Sequence, residues 1–293
     1  MVSQKPLLLT LSAALDNQRG LISGEDLLTL KVGSLDNRGG RLTGARALSL
    51  DSRGALLNQG GSIVAEQGLT LDSTSLNNSD KGVISAKADA RLGTGAFDNS
   101  QGGSLTSAGQ LTLTTAQLTN NQGRIGSDQA LNASITGLQQ QGGELFSNAD
   151  LTLDLDHGLL DNQGGNLHTP GQLLLRNLDR VDNRSGEISG AKAFSLNARE
   201  LDNGAGKLLS NQALTLRIEQ ALANVKGLIS AAAIDSRSAS LDNRDGQLHS
   251  RGDSQLQVSG HADNQGAILL AEGQMTLKAA SLDNRQELSL IHI

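Results

Sequence analysis

The 293-residue chain contains no cysteine, tryptophan or tyrosine, and only 3 phenylalanines and 2 prolines. Without cysteine there is no disulfide framework and no thiolate metal or redox centre. Near-absence of aromatics makes the core aliphatic and leaves few platforms on which sugars or bases stack. No apolar run reaches the roughly 18 residues that a membrane-spanning helix needs, so stable membrane insertion is not expected. A formal net charge of −6, with arginine and lysine scattered through the chain, argues against nucleic acid and anionic membranes as partners. No window of about ten residues carries helical apolar spacing.

What the chain has in abundance is a repeat. Leu-Asp-Asn begins at Leu15, Leu35, Leu160, Leu201, Leu241 and Leu282, with weaker copies at Leu56, Leu76, Phe97, Leu118, Leu138, Val181, Leu222 and Ala262. From Leu15 to Leu282 is 267 residues in thirteen steps, a mean period of 20.5. A period of this size marks a solenoid, in which length counts coils and not domains. The opening Leu9-Thr10-Leu11 and Leu15-Asp16-Asn17 already match the ordinary unit, so the start reads as a coil and not as a signal peptide.

Three columns recur. An amide follows two residues after the leucine: Asn17, Asn37, Asn58, Asn78, Asn99, Asn120, Asn162, Asn183, Asn203, Asn224, Asn243, Asn264 and Asn284, with Gln140 as the exception to asparagine. A glycine comes next, from Gly20 and Gly40 to Gly246 and Gly266, where a tight turn would demand positive φ; Gln286 is the departure. Two residues later stands Leu or Ile, from Ile22 and Leu42 to Ile268 and Leu288, an expected core position. Alternating triplets such as Leu48-Ser49-Leu50, Leu111-Thr112-Leu113 and Leu214-Thr215-Leu216 read as short half-buried strands.

Strand, turn, strand, turn in each unit gives an all-β parallel β-helix of about 14 coils with a repeat of ~20 residues. Stacking at ~4.8 Å per coil joins the apolar rows into one core and lets the amides hydrogen-bond from coil to coil as a structural ladder. A leucine-rich repeat has a similar period but sets its Asn three residues after Leu-x-Leu; here Leu71 to Asn78 is seven.

The units LDNRGGRLTGARALSLDS from Leu35 to Ser52, LDNQGGNL from Leu160 to Leu167 and LDNRDGQL from Leu241 to Leu248 resemble the haemagglutinin repeats of filamentous haemagglutinin and of contact-dependent inhibition proteins. That resemblance extends over essentially the whole chain. It implies a right-handed β-helix in the shaft of a secreted, cell-surface exoprotein of a Gram-negative bacterium. It also implies export through an outer-membrane two-partner secretion transporter, and a role in adhesion or in presenting a distal binding or toxin region to receptors on host or neighbouring cells. No cofactor and no enzymatic activity are expected. The alternative is a polysaccharide-binding or polysaccharide-degrading parallel β-helix. Residues 1–287 are expected to form one continuous segment of a longer shaft, and 288–293, Leu-Ser-Leu-Ile-His-Ile, a non-native tail.

Several residues invite a site. Arg251-Gly252-Asp253 spells an integrin-recognition tripeptide on a turn that would hold its charges apart, although variable polar residues occupy that turn in other units. Asp154, Asp156 and His157 place carboxylates beside an imidazole where the period stretches to 22, which also suits an exposed bulge. His168 and His249 share a column four coils apart, too far for one metal. The nine Asp of the Asp-Asn pairs form an apparent acidic stripe, but Asp before a turn usually accepts from its own backbone.

Overall fold

A computed structural model of the protein describes residues 1–285. Gln286, Leu288 and the suspected tail 288–293 lie outside the described residues. The described chain holds strands and turns with no helix. Its strands stack in parallel into a 14-stranded sheet, a 16-stranded sheet and a 5-stranded sheet. One circuit runs from a four-residue strand such as Ser104–Ser107, through a turn, along a longer strand such as Leu111–Thr119, and back through the amide turn. Register holds from coil to coil at the inward leucines, as in Leu71↔Leu92↔Leu113, so like residues stack on like.

Period-two alternation decides which side chains face inward. In Leu111–Thr119, Leu111, Leu113 and Leu118 are fully buried, while Thr112 and Thr114 face out. With Leu105 they form one layer of a single aliphatic core that runs the length of the rod. Each such side chain contributes roughly 1.5–3 kcal/mol on burial, a gain available only because a neighbouring coil covers it.

The cross-section changes along the rod. Between Leu48 and Asp182 the long strand bends round a corner without a break, as in Leu69–Asn77 and Leu131–Gln139. Beyond Gly190 it divides into pairs such as Phe194–Ala198 and Glu200–Asp202, and the first members build the 5-stranded sheet. The dividing residue Arg199 turns its N–H to the Asp179 carbonyl below, at 2.7 Å.

Candidate functional site

The amide column is the most regular feature of the corner between sheets. Asn37 Nδ2 donates to Asn58 Oδ1, Asn58 to Asn78 and Asn183 to Asn203, each at 2.7 Å, and the series continues to Asn264 and Asn284 at 2.8 Å. Most members are wholly buried. The second amide proton is used as well: Asn58 Nδ2 also reaches Gly61 O and Val83 O, both at 3.3 Å. Asparagine suits the column because it donates up the stack and accepts from below, leaving no buried polar atom unpaired. Gln140 does not interrupt the series. It accepts from Asn120 at 3.4 Å and donates to Asn162 at 3.0 Å, the longer links fitting an amide carried one methylene farther from the backbone.

The glycine column has a different cause from the expected positive φ. That conformation falls on the residue before it: Arg19, Gly39, Gly60, Gln122, Gly142, Ser185, Ala205 and Asp245 all lie near φ 52 to 62. The glycine itself lies against the ladder. A Cβ on Gly186 would sit 2.1 Å from Asn162 O and 2.8 Å from Asn183 Oδ1, and Gly61, Gly123 and Gly227 are equally confined. Steric approach to the coil below, not left-handed backbone, excludes other residues. In the unit of Asn264 the expected assignment shifts by one. Gly266 takes the positive φ of 64°, and Ala267 holds the column with a looser N–H to Asn264 O bond of 3.3 Å. Leu248 consequently pairs with Leu269, while Ile268, the expected core residue, is half exposed.

The nine aspartates each accept the N–H of the residue two ahead, as Asp36 does from Arg38 at 3.1 Å and Asp202 from Gly204 at 3.0 Å. Where arginine follows, its guanidinium closes a fork on the same carboxylate: Arg184 Nε and Nη2 reach Asp182 at 2.9 and 2.7 Å. The side-chain hydrogen bonds from Arg38 and Arg244 hold the Asp36 and Asp242 carboxyls below their ordinary value. Burial pushes Asp182 up, but its bonds with Arg184 outweigh that and the net shift is downward. These carboxylates are therefore engaged in closing turns.

The opposite corner is held by hydroxyls, a signal that the repeat columns did not disclose. Ser127 Oγ donates to Gly109 O at 2.6 Å, and Ser147 Oγ to Gln129 O at 2.6 Å. Ser250 at the same position precedes the Arg-Gly-Asp tripeptide and donates to Asp253 O at 2.8 Å. Arg251 and Asp253 are exposed, yet both charged ends are used within the stack. Arg251 Nη2 donates to Asn211 O, two coils away, at 2.7 Å, and Asp253 Oδ1 accepts from Gln274 N at 2.8 Å. Asp89 and Asp150 cap Gln110 N and Gln172 N in the same way, so Asp253 belongs to a recurring corner brace.

Asp154, Asp156 and His157 lie on a bulge. Pairing slips between Ser134 and Leu138, Asp156 and His157 adopt φ of 47° and 64°, and their side chains stand about four-fifths exposed. Asp154 pairs with Ser134 below and Arg176 above. A hydrogen bond from Asn177, at 2.8 Å, and a second from Asp156 N–H hold its carboxyl below the ordinary value. Beside the bulge, a groove of about 650 Å³ runs past His157, Asp179, Arg199, Arg217 and Arg237. His168 lies four register steps below His249, through Ser189, Leu209 and Ser230. It stacks on Phe146, whose ring also lies 4.3 Å from the Arg124 guanidinium. Among the described residues no three His, Asp or Glu converge to hold a metal.

Comparison with known proteins adds three findings. Residues 8–60 and 56–115 match the haemagglutinin repeat family. The toxin CdiA of Yersinia pestis is 32% identical over 155 residues, which cover 50% of this chain and 4% of the toxin. No solved structure matches the chain.

Proposed function

We propose that the chain, whose residues 8–60 and 56–115 match the haemagglutinin repeat family, serves as shaft in a secreted filamentous exoprotein on the surface of a Gram-negative bacterium. In this reading the exoprotein leaves the cell by two-partner secretion through an outer-membrane transporter. The shaft holds a distal adhesive or toxin region out toward receptors on another cell. In this reading the described residues 1–285 form one continuous stack that carries no catalytic step itself.

The observation that supports this reading best is the unbroken amide column, which runs from Asn17 to Asn284 without giving any coil a chemistry of its own. A spacer of this kind has length as its working property, at ~4.8 Å per coil. The test is to excise two whole coils, residues 163–203, from the parent exoprotein and score adhesion or toxin delivery. Retained activity with a filament shortened by about 10 Å supports a spacer. Complete loss of activity in a filament that still folds and reaches the surface contradicts it.

Polysaccharide binding is favoured by one observation, the groove beside the bulge with Arg199, Arg217 and Arg237 on its walls. Glycan binding that disappears in Arg217→Ala would establish that reading in place of the spacer.

A further inference from the structure

Asn203-Gly204 is the one Asn-Gly pair in the sequence. Nothing in the fold requires it. The left-handed residue of this turn is Ala205, with φ 52°, and Gly204 takes no such conformation. A Cβ on Gly204 would meet Asp202 Oδ1 at 3.1 Å and Arg184 Cγ at 3.5 Å, both on side chains able to shift. Equivalent turns carry Gln163, Arg184, Val225 and Arg244 directly after the ladder asparagine. Glycine after asparagine removes the side chain that otherwise shields the following backbone nitrogen, and it frees the backbone to rotate.

From this placement we infer that Asn203 is a deamidation site whose reactivity is gated by folding. In the open chain the Gly204 nitrogen, losing its proton, bonds to the Asn203 side-chain carbonyl carbon. The bond from that carbon to Nδ2 breaks, and ammonia departs carrying the proton. Water then opens the cyclic imide to aspartate or isoaspartate, so atoms balance with no oxidant or reductant.

In the folded coil both reacting groups are held. The Gly204 N–H donates to Asp202 Oδ1 at 3.0 Å. Asn203 Oδ1 accepts from Asn183 at 2.7 Å, and Nδ2 donates to Asn224 Oδ1 at 2.7 Å and to Gly206 O and Leu228 O at 3.3 Å. Carbonyl carbon and nitrogen cannot approach without breaking the ladder on both sides. The product also fails to fit the ladder. An aspartate at 203 would set a carboxylate oxygen against three acceptors where Nδ2 now donates, in a site with no solvent exposure. A chain that stacks promptly is protected, and a chain that waits unfolded acquires a break about two thirds of the way along it.

The experiment holds the whole chain at mildly alkaline pH, once folded and once in urea, and maps amide-to-acid conversion by peptide mass spectrometry with an isoaspartate assay. Asn203 is expected to convert first among the asparagines in urea, and at least ~10-fold more slowly when folded. Gly204→Gln should abolish the fast reaction in urea and leave unfolding of the native protein unchanged. Asn203→Asp, which mimics one product, should refold to a less stable stack. Equal rates in the two states, faster conversion at Asn78 or Asn99 in urea, or an Asn203→Asp protein as stable as the parent would each overturn it.

Discussion

Two of the corners that close each coil are built differently. At the amide corner nearly every unit carries asparagine, and each side chain bonds to the one above and the one below. At the opposite corner the corresponding series reads Gly24, Gly44, Ala65, Ala86, then Ser107, Ser127, Ser147, Thr169, followed by Gly190, Ser210, Ala231 and Ser250. The hydroxyls there bond to backbone carbonyls and not to one another. An amide ladder needs both neighbours, so a missing member leaves buried atoms unpaired in two coils. A hydroxyl on a carbonyl is complete by itself, and glycine or alanine can replace it. Variation, including the Arg-Gly-Asp tripeptide, therefore accumulates at the corner whose side chains bond to backbone carbonyls, which every residue supplies.

The largest effect expected from breaking this contrast is at the amide corner. Gly186→Ala drives a methyl into the Asn162 carbonyl and should destabilise the stack by ~1–3 kcal/mol in denaturant unfolding. At the hydroxyl corner Ser127→Ala should lose about 0.5–1.5 kcal/mol. Ser210→Ala should add to it within ~0.5 kcal/mol, because the Ser127 and Ser210 hydroxyls share no partner. A strongly non-additive pair would show that this corner is coupled after all.

Acid should act more weakly. The Asp36, Asp182 and Asp242 carboxyls are all lowered from their ordinary 3.8, so their stabilising effect is complete above that pH and fades as pH falls through the lower folded values. A melting temperature that declines below pH 3.8 in the parent, and less steeply in Asp182→Ser, is the expected result. The smallest effect belongs to Arg251→Ala. Its exposed guanidinium holds one carbonyl, and the change in stability should stay within about 0.5 kcal/mol.

Much of this architecture is legible in the sequence because stacking repeats each requirement thirteen times over. Leucine and asparagine columns fix the coil, its period and the inward faces. The reason for the glycine column is not legible, since a requirement for left-handed backbone and a requirement for close approach select the same residue. Only the position of Asn162 O against Gly186 distinguishes them. For the same reason the one-residue shift that places Leu269 inside and Ile268 outside emerges only from pairing with Leu248. The hydroxyl corner is obscured in sequence because Ser alternates there with Gly and Ala. As for the candidate site, the sequence marks Arg251 and Asp253 as turn residues, but their partners Asn211 and Gln274 lie 40 and 21 residues away.

Adjacent residues provide the most direct test of the ladder. Asn183 bonds within the column, whereas Asp182 closes its own turn with Arg184. The unfolding midpoints of Asn183→Leu and Asp182→Ser should be measured side by side against the parent. Asn183→Leu is expected to destabilise by ~1–3 kcal/mol through unpaired amides in the two flanking coils, and Asp182→Ser by far less. Equal shifts would contradict the claim that the amide column holds the coils together.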